Sequence, residues 1–95
     1  MTDDTARFEL SPIMKIEDCE RLHSFLAGTT DQDIEIDCGA VDRLSGLTAQ
    51  MLVVGRGSWH RNGRNFTLSN PSEGFEQGIA LLGLTDVMSQ DQVAA

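Results

Sequence analysis

Hydrophobic and polar positions along this chain switch between two periods. Ile34, Ile36 and Cys38 alternate with Asp33, Glu35 and Asp37, the period of two that marks a strand with one buried face. Phe66 and Leu68 alternate in the same way within Asn65–Ser69. Arg7–Leu10 carries a shorter strand signal, and Ser11-Pro12 breaks it because proline has no N–H for a ladder. Elsewhere the period lengthens. Ile16, Cys19, Leu22 and Leu26 recur at spacings of three and four, with His23 beside them, and predict a helix over 16–27. Glu17, Asp18, Glu20 and Arg21 fall on its polar face, and the early acids complement the helix dipole. Gly28-Thr29-Thr30 is expected to end it.

A second helix is predicted from Ser45 to about Asn62. Leu47, Ala49, Met51, Leu52, Val53, Val54 and Trp59 make it apolar on most sides, so it is expected to be largely buried. Gly55 and Gly57 each cost about 1 kcal/mol relative to alanine and mark either close approach of a neighbour or a kink. Asn62-Gly63 is a strong stop. The third helix is expected to start with Asn70 as N-cap, Pro71 at the first helical position and Glu73 closing a capping box. Phe75, Ile79 and Leu82 would be its apolar face, and Gly83-Leu84 its Schellman stop. Val87 and Met88 are candidates to pack beyond it.

The element order is β-α-β-α-β-α. Alternation of this kind implies an α/β fold: one small domain with a mainly parallel sheet and helices packed on it through right-handed crossovers. Ninety-five residues suit one such domain. Residues 6–87 are assigned to it, with 1–5 and 88–95 as flexible ends.

Charge narrows the function classes. Fifteen acids against seven bases give −8, which argues against nucleic acid and against an anionic membrane surface. A protein partner with a basic face suits that balance better. No apolar run approaches the roughly 20 residues of a membrane helix, and MTDDTARFEL lacks the apolar core of a signal peptide. A cytoplasmic protein without direct membrane insertion is expected. Cys19 and Cys38 are too few for a disulfide framework and read as reduced, buried thiols. His23 follows Cys19 at i+4, a possible ligand pair, but His60 and Cys38 offer no matching spacing, so no metal is expected. Cys38 lies beside acids, the wrong setting for a nucleophile. Arg56, Arg61 and Arg64 read as a solvated helix end, and Trp59 as partly buried with its N–H near the surface. No acid–base pair stands out, no cofactor loop is present, and an enzyme is not expected.

The remaining feature is Val41-Asp42-Arg43-Leu44-Ser45-Gly46-Leu47, where a loop enters the second helix through a serine. The first four N–H groups of a helix lack helical partners. Ser45 can cap them, or it can present a hydroxyl where a phosphate would meet donors and the positive dipole end. Phosphorylation there would add about −1.5 to −2 charges to a contact surface and expel a partner that binds the bare turn. Thr48, one turn on, is a weaker candidate and reads as a packed helical threonine.

The Val-Asp loop, the Ser-Gly-Leu step, the strand ending Leu68-Ser69-Asn70 and the helix ending Leu81-Leu82-Gly83-Leu84 resemble, in this order, the STAS domain family. That family includes the anti-sigma factor antagonists, and the resemblance covers roughly residues 6–87. In such antagonists an Asp-Ser-Ser-Gly-Leu step carries a serine that a partner kinase phosphorylates. Ser45, Gly46 and Leu47 match the second serine, the glycine and the leucine, while Leu44 stands in place of the first serine and Arg43 in place of the aspartate. The resemblance implies a non-enzymatic regulatory domain of bacterial signalling. Its partner would be an anti-sigma factor kinase or a chemotaxis-type histidine kinase, and its contact surface Asp42, Arg43, Leu44, Ser45, Gly46, Leu47 and Thr48. A second branch, accessory subunits of lipid-transport ATPases, carries a Val-Asp-Thr-Ala-Gly-Leu-like loop. Val41-Asp42 and Gly46-Leu47 resemble that loop too, and this branch implies binding without phosphorylation.

Overall fold

The computed structural model describes residues 5–85. Its elements run β1 (Ala6–Glu9), α1 (Ile16–Gly28), β2 (Ile34–Asp37), α2 (Gly46–Arg61), β3 (Phe66–Ser69) and α3 (Glu73–Leu81). The expected β-α-β-α-β-α order is therefore present. The strands form one parallel sheet in the order β1-β2-β3. Val87, Met88 and the end segments 1–4 and 86–95 lie outside the described residues.

Register explains the split between the two sheet faces. Ala6 pairs with Ile34 and Phe8 with Ile36, while Ile34 pairs with Phe66 and Ile36 with Leu68. All six side chains share one apolar face. Both crossovers step the same way across the sheet, so right-handedness puts α1 and α2 together on that face. Phe25 of α1 meets Phe8 of β1 with ring centroids 5.2 Å apart, and Trp59 of α2 meets Phe66 of β3 edge-on at 5.9 Å. Leu10, Leu22, Ile34, Ile36 and Leu52 are the largest fully buried apolar side chains. A Cβ on Gly55 would come 3.2 Å from the Phe66 ring, so this glycine marks the close approach of α2 to β3 and not a kink. The opposite face is polar: Arg7 pairs with both Glu35 and Asp37, and Ser69 donates to Glu35 at 2.6 Å.

Several expectations need correction. Gly28 belongs to α1, and Thr29 is the C-cap. Ile16 is not part of the core: it begins α1 and is 75% exposed. Trp59 is almost fully buried, and its N–H donates to the Gln32 carbonyl at 2.7 Å. The second helix is not buried on most sides, since Leu47 and Val54 are exposed. Its apolar surplus is surface. The N-cap of α3 is Ser72, not Asn70, so Pro71 precedes the helix and Glu73 is its first residue and not the third position of a capping box. Asn70 instead takes φ 56°, a left-handed turn that asparagine tolerates, and this redirects the chain before the helix begins. Leu82 is the C-cap of α3 and is exposed, whereas the Schellman stop is present. Gly83 N–H donates to Ala80 and Leu84 N–H to Ile79, with Leu84 packed against the core.

Candidate functional site

The loop between β2 and α2 is anchored at its start by Asp37. Asp37 Oδ1 accepts the Gly39 N–H at 2.8 Å, and its other oxygen pairs with the Arg7 guanidinium. The carboxylate is nearly buried, so Arg7 and the Gly39 amide supply the partners that burial demands. A side chain on Gly39 would collide with the Asn70 amide, which places the β3–α3 turn directly over the loop.

Two further elements hold the middle of the loop. The Asp42 and Arg43 N–H groups both donate to the Pro12 carbonyl, at 2.9 and 3.2 Å, and Ile13 bridges to Arg43. On the other side, Ser72 Oγ donates to the Val41 carbonyl at 2.6 Å. Gly74 abuts the Asp42 carbonyl, and a Cβ on Gly78 would lie 2.6 Å from the Leu44 Cβ. Two small residues at i and i+4 thus let α3 lie flush against residues 41–44.

The loop ends at Ser45, the N-cap of α2, with extended backbone at φ −81° and ψ 155°. Its Oγ accepts the Thr48 N–H at 3.1 Å and donates to Thr48 Oγ1 at 2.9 Å. Thr48 Oγ1 in turn lies 3.7 Å from Cys19 Sγ on α1. A short polar chain therefore runs from the turn into the contact between the two helices. Both cap and hydroxyl network are local consequences of a serine three residues before a threonine.

The structure brings the sequence-predicted residues together, but not all on the surface. Asp42, Arg43, Gly46 and Leu47 are exposed, Leu44 and Ser45 are half-buried, and Thr48 is fully buried. Thr48 supports the turn from beneath and presents no surface of its own. Two apolar residues whose exposure the sequence did not reveal stand near the turn: Ile13 is 54% exposed and Ile16 75%, against 56% for Leu47. The Pro12 and Ile13 links bring the 12–13 segment alongside residues 42–43, and the Cys19–Thr48 contact sets the first turn of α1 beside the first turn of α2. An Ile-x-x-Ile spacing at a helix start carries no warning of exposure. Only the adjacency of the two loops shows it.

Burial, and the Asp37 charge next to it, push the Cys38 thiol up to about 12, so it stays protonated. Cys19 is buried against Thr48. Among the described residues no group of three or more His, Cys, Asp or Glu side chains is placed to hold a metal ion. No helix among them is long and apolar enough to cross a membrane.

The order β-α-β-α-β-α with three parallel strands makes this a compact α/β domain, and it presents a capped, multiply anchored turn at a helix start. A family model described as "Mlab, STAS domain" matches residues 1–90, and the chain belongs to the STAS domain family. Searches of curated proteins and of solved structures return no match.

Proposed function

We propose that this STAS domain is a non-catalytic module that docks on a partner protein through residues 42–47 together with Ile13 and Ile16. The observation that carries the reading is the exposure of Ile13, Ile16 and Leu47 around a turn pinned by Pro12, Ser72 and the Ser45 cap. Burying such apolar side chains yields about 25 cal/mol per Å². A loop already held by its neighbours loses little freedom on docking.

Among the partner classes implied by the resemblance, the favoured one is the ATPase of a lipid transporter, with this domain as its accessory subunit. The Ser45 hydroxyl is occupied inside the domain as both donor and acceptor, and that arrangement requires no phosphate. The second reading is a phosphorylated switch read by an anti-sigma factor kinase or a chemotaxis-type histidine kinase. The partial exposure of Ser45 favours it, because a half-open hydroxyl can be reached by a kinase.

The test is affinity purification of the tagged chain from its native cells, as wild type, Leu47→Asp and Ser45→Asp. Recovery of a transport ATPase by wild type, and its loss with Leu47→Asp, is the expected result. Recovery of a kinase, with one phosphate mapped to Ser45, selects the switch. A partner retained in full by Leu47→Asp overturns the docking face.

A further inference from the structure

The apolar surplus of α2 lines a groove of about 390 Å³ between α1 and α2. Leu47, Met51, Val54 and Ser58 form its α2 bank at spacings of four, three and four, and His23 and Ala27 form its α1 bank. Val54, the middle of the stripe, is 64% exposed. This face extends well away from the Ser45 turn.

The two banks carry opposite charges at opposite ends. Cys19 meets Thr48, and Leu26 meets Gly55, so α1 and α2 run side by side in parallel with a constant offset. Glu20 lies one turn before His23 on the α1 bank, at the level of Ala49. Arg61 lies one turn beyond Ser58 on the α2 bank, and its guanidinium folds back over Gly57. Neither side chain makes an ion pair among the described residues. Position 55 falls midway between the levels of Glu20 and Arg61, next along the helix from Val54.

We propose that the occupant of this groove is a second copy of the chain, turned end for end about a two-fold axis at Val54. That rotation sets Val54 against the Val54 of its partner. It also brings each Glu20 to the level of the partner's Arg61, twice per dimer, as an isologous interface requires. A parallel pairing would instead leave each acid level with an acid. The charge arrangement thus complements itself in one orientation, and the apolar stripe between the charges supplies the core.

Sedimentation equilibrium of the full chain from micromolar to millimolar concentration tests this. Wild type is expected to shift from 10.4 kDa toward twice that mass. Val54→Asp is expected to stay monomeric, with helicity checked by circular dichroism. Glu20→Arg and Arg61→Glu are each expected to weaken the dimer about ten-fold, since each variant turns two attractions between charges at the same level into repulsions. The double reversal is expected to restore it. A wild type that remains monomeric throughout overturns the proposal and leaves the groove to a different partner. A dimer indifferent to Val54→Asp, or a double reversal no tighter than the single ones, overturns it as well. Docking is read out separately through Ile13, which lies outside the groove, because Leu47 lines both faces and Val54 only this one.

Discussion

Ser45 and Thr48 close a two-way hydrogen bond at the start of α2: the serine oxygen accepts the threonine N–H and donates its own proton to the threonine hydroxyl. Ser45→Ala removes both bonds. It is expected to destabilise the domain by about 1 kcal/mol, the usual worth of a serine cap. Ser45→Asp keeps an acceptor at the cap and adds negative charge at the positive dipole end, so its stability is expected to match wild type within about 0.5 kcal/mol. Urea unfolding of the three proteins checks both values. It also decides whether a binding defect in Ser45→Asp reports on the surface or on the fold.

The buried half of that pair has its own signature. Thr48→Val keeps the shape but deletes the hydroxyl that links Ser45 to Cys19. A loss of about 1 kcal/mol is expected. Combined with Ser45→Ala, the two losses are expected to fall short of additivity by at least about 0.5 kcal/mol, as for residues in one network. Additive losses in a double-mutant cycle would show that the two hydroxyls act independently.

The fold was legible in the sequence because the two periods are clean. Ile34-Glu35-Ile36-Asp37 reads as a half-buried strand from its alternation alone, and its burial follows that alternation apart from Asp37. The Ser45 cap and the Gly83 stop were legible because each is a local geometry carried by one or two residues. The start of α3 was not. Asn70, Pro71 and Ser72 offer competing start signals, and the choice of Ser72 rests on its bond to the Val41 carbonyl, a contact across 31 positions of chain. The exposure of Ile16 and Val54 was hidden for a related reason. Periodicity tells which residues share a helix face, but the neighbours decide how much of that face is covered. Asp37 was read only as the polar partner in an alternating strand, because its pairing with Arg7 depends on sheet register.

Gly74 is a packing requirement at the site. A methyl group there would drive into the Asp42 carbonyl, which is backbone and cannot rotate aside. Gly74→Ala is expected to cost about 1–3 kcal/mol, the range for overpacking a close contact. Gly28, at the end of α1, has open space where a Cβ would go. Gly28→Ala is expected to be neutral or to stabilise by up to about 1 kcal/mol, through the reduced freedom of the unfolded chain. Thermal unfolding of the two variants beside wild type gives the comparison. Equal losses in both would rule out contact with the loop as the cause.

Both thiols are protected by the fold. Cys19 and Cys38 are buried, and Cys38 is held protonated well beyond neutral pH. Iodoacetamide at pH 8 is expected to leave the native protein unmodified and to label both cysteines in denaturing urea. The linkage for Cys38 has a definite sign. Its folded value of about 12 exceeds the ordinary 9.0, so its contribution to stability is complete below pH 9 and is lost as pH rises toward 12. Rapid native labelling of Cys38, followed by mass spectrometry, would show that the β2 end opens to solvent.

Asp18 supplies the opposite sign at acid pH. Its carboxylate accepts the Lys15 N–H at 2.9 Å and pairs with Arg21, and the backbone bond is the larger reason that its pKa is held below the ordinary 3.8. A depressed folded value means that the unfolded chain takes up the proton first as pH falls. The stabilisation from Asp18 is therefore complete above pH 3.8 and disappears as pH drops through the lower folded value. Asp18→Asn can carry no such charge, so it is expected to unfold at lower urea than wild type at neutral pH, with the gap closing as the solution is acidified below pH 3.8. Paired urea titrations from neutral pH to below that point measure the gap. If it stays constant across the range, the benefit of Asp18 comes from the shape of the cap and not from its charge.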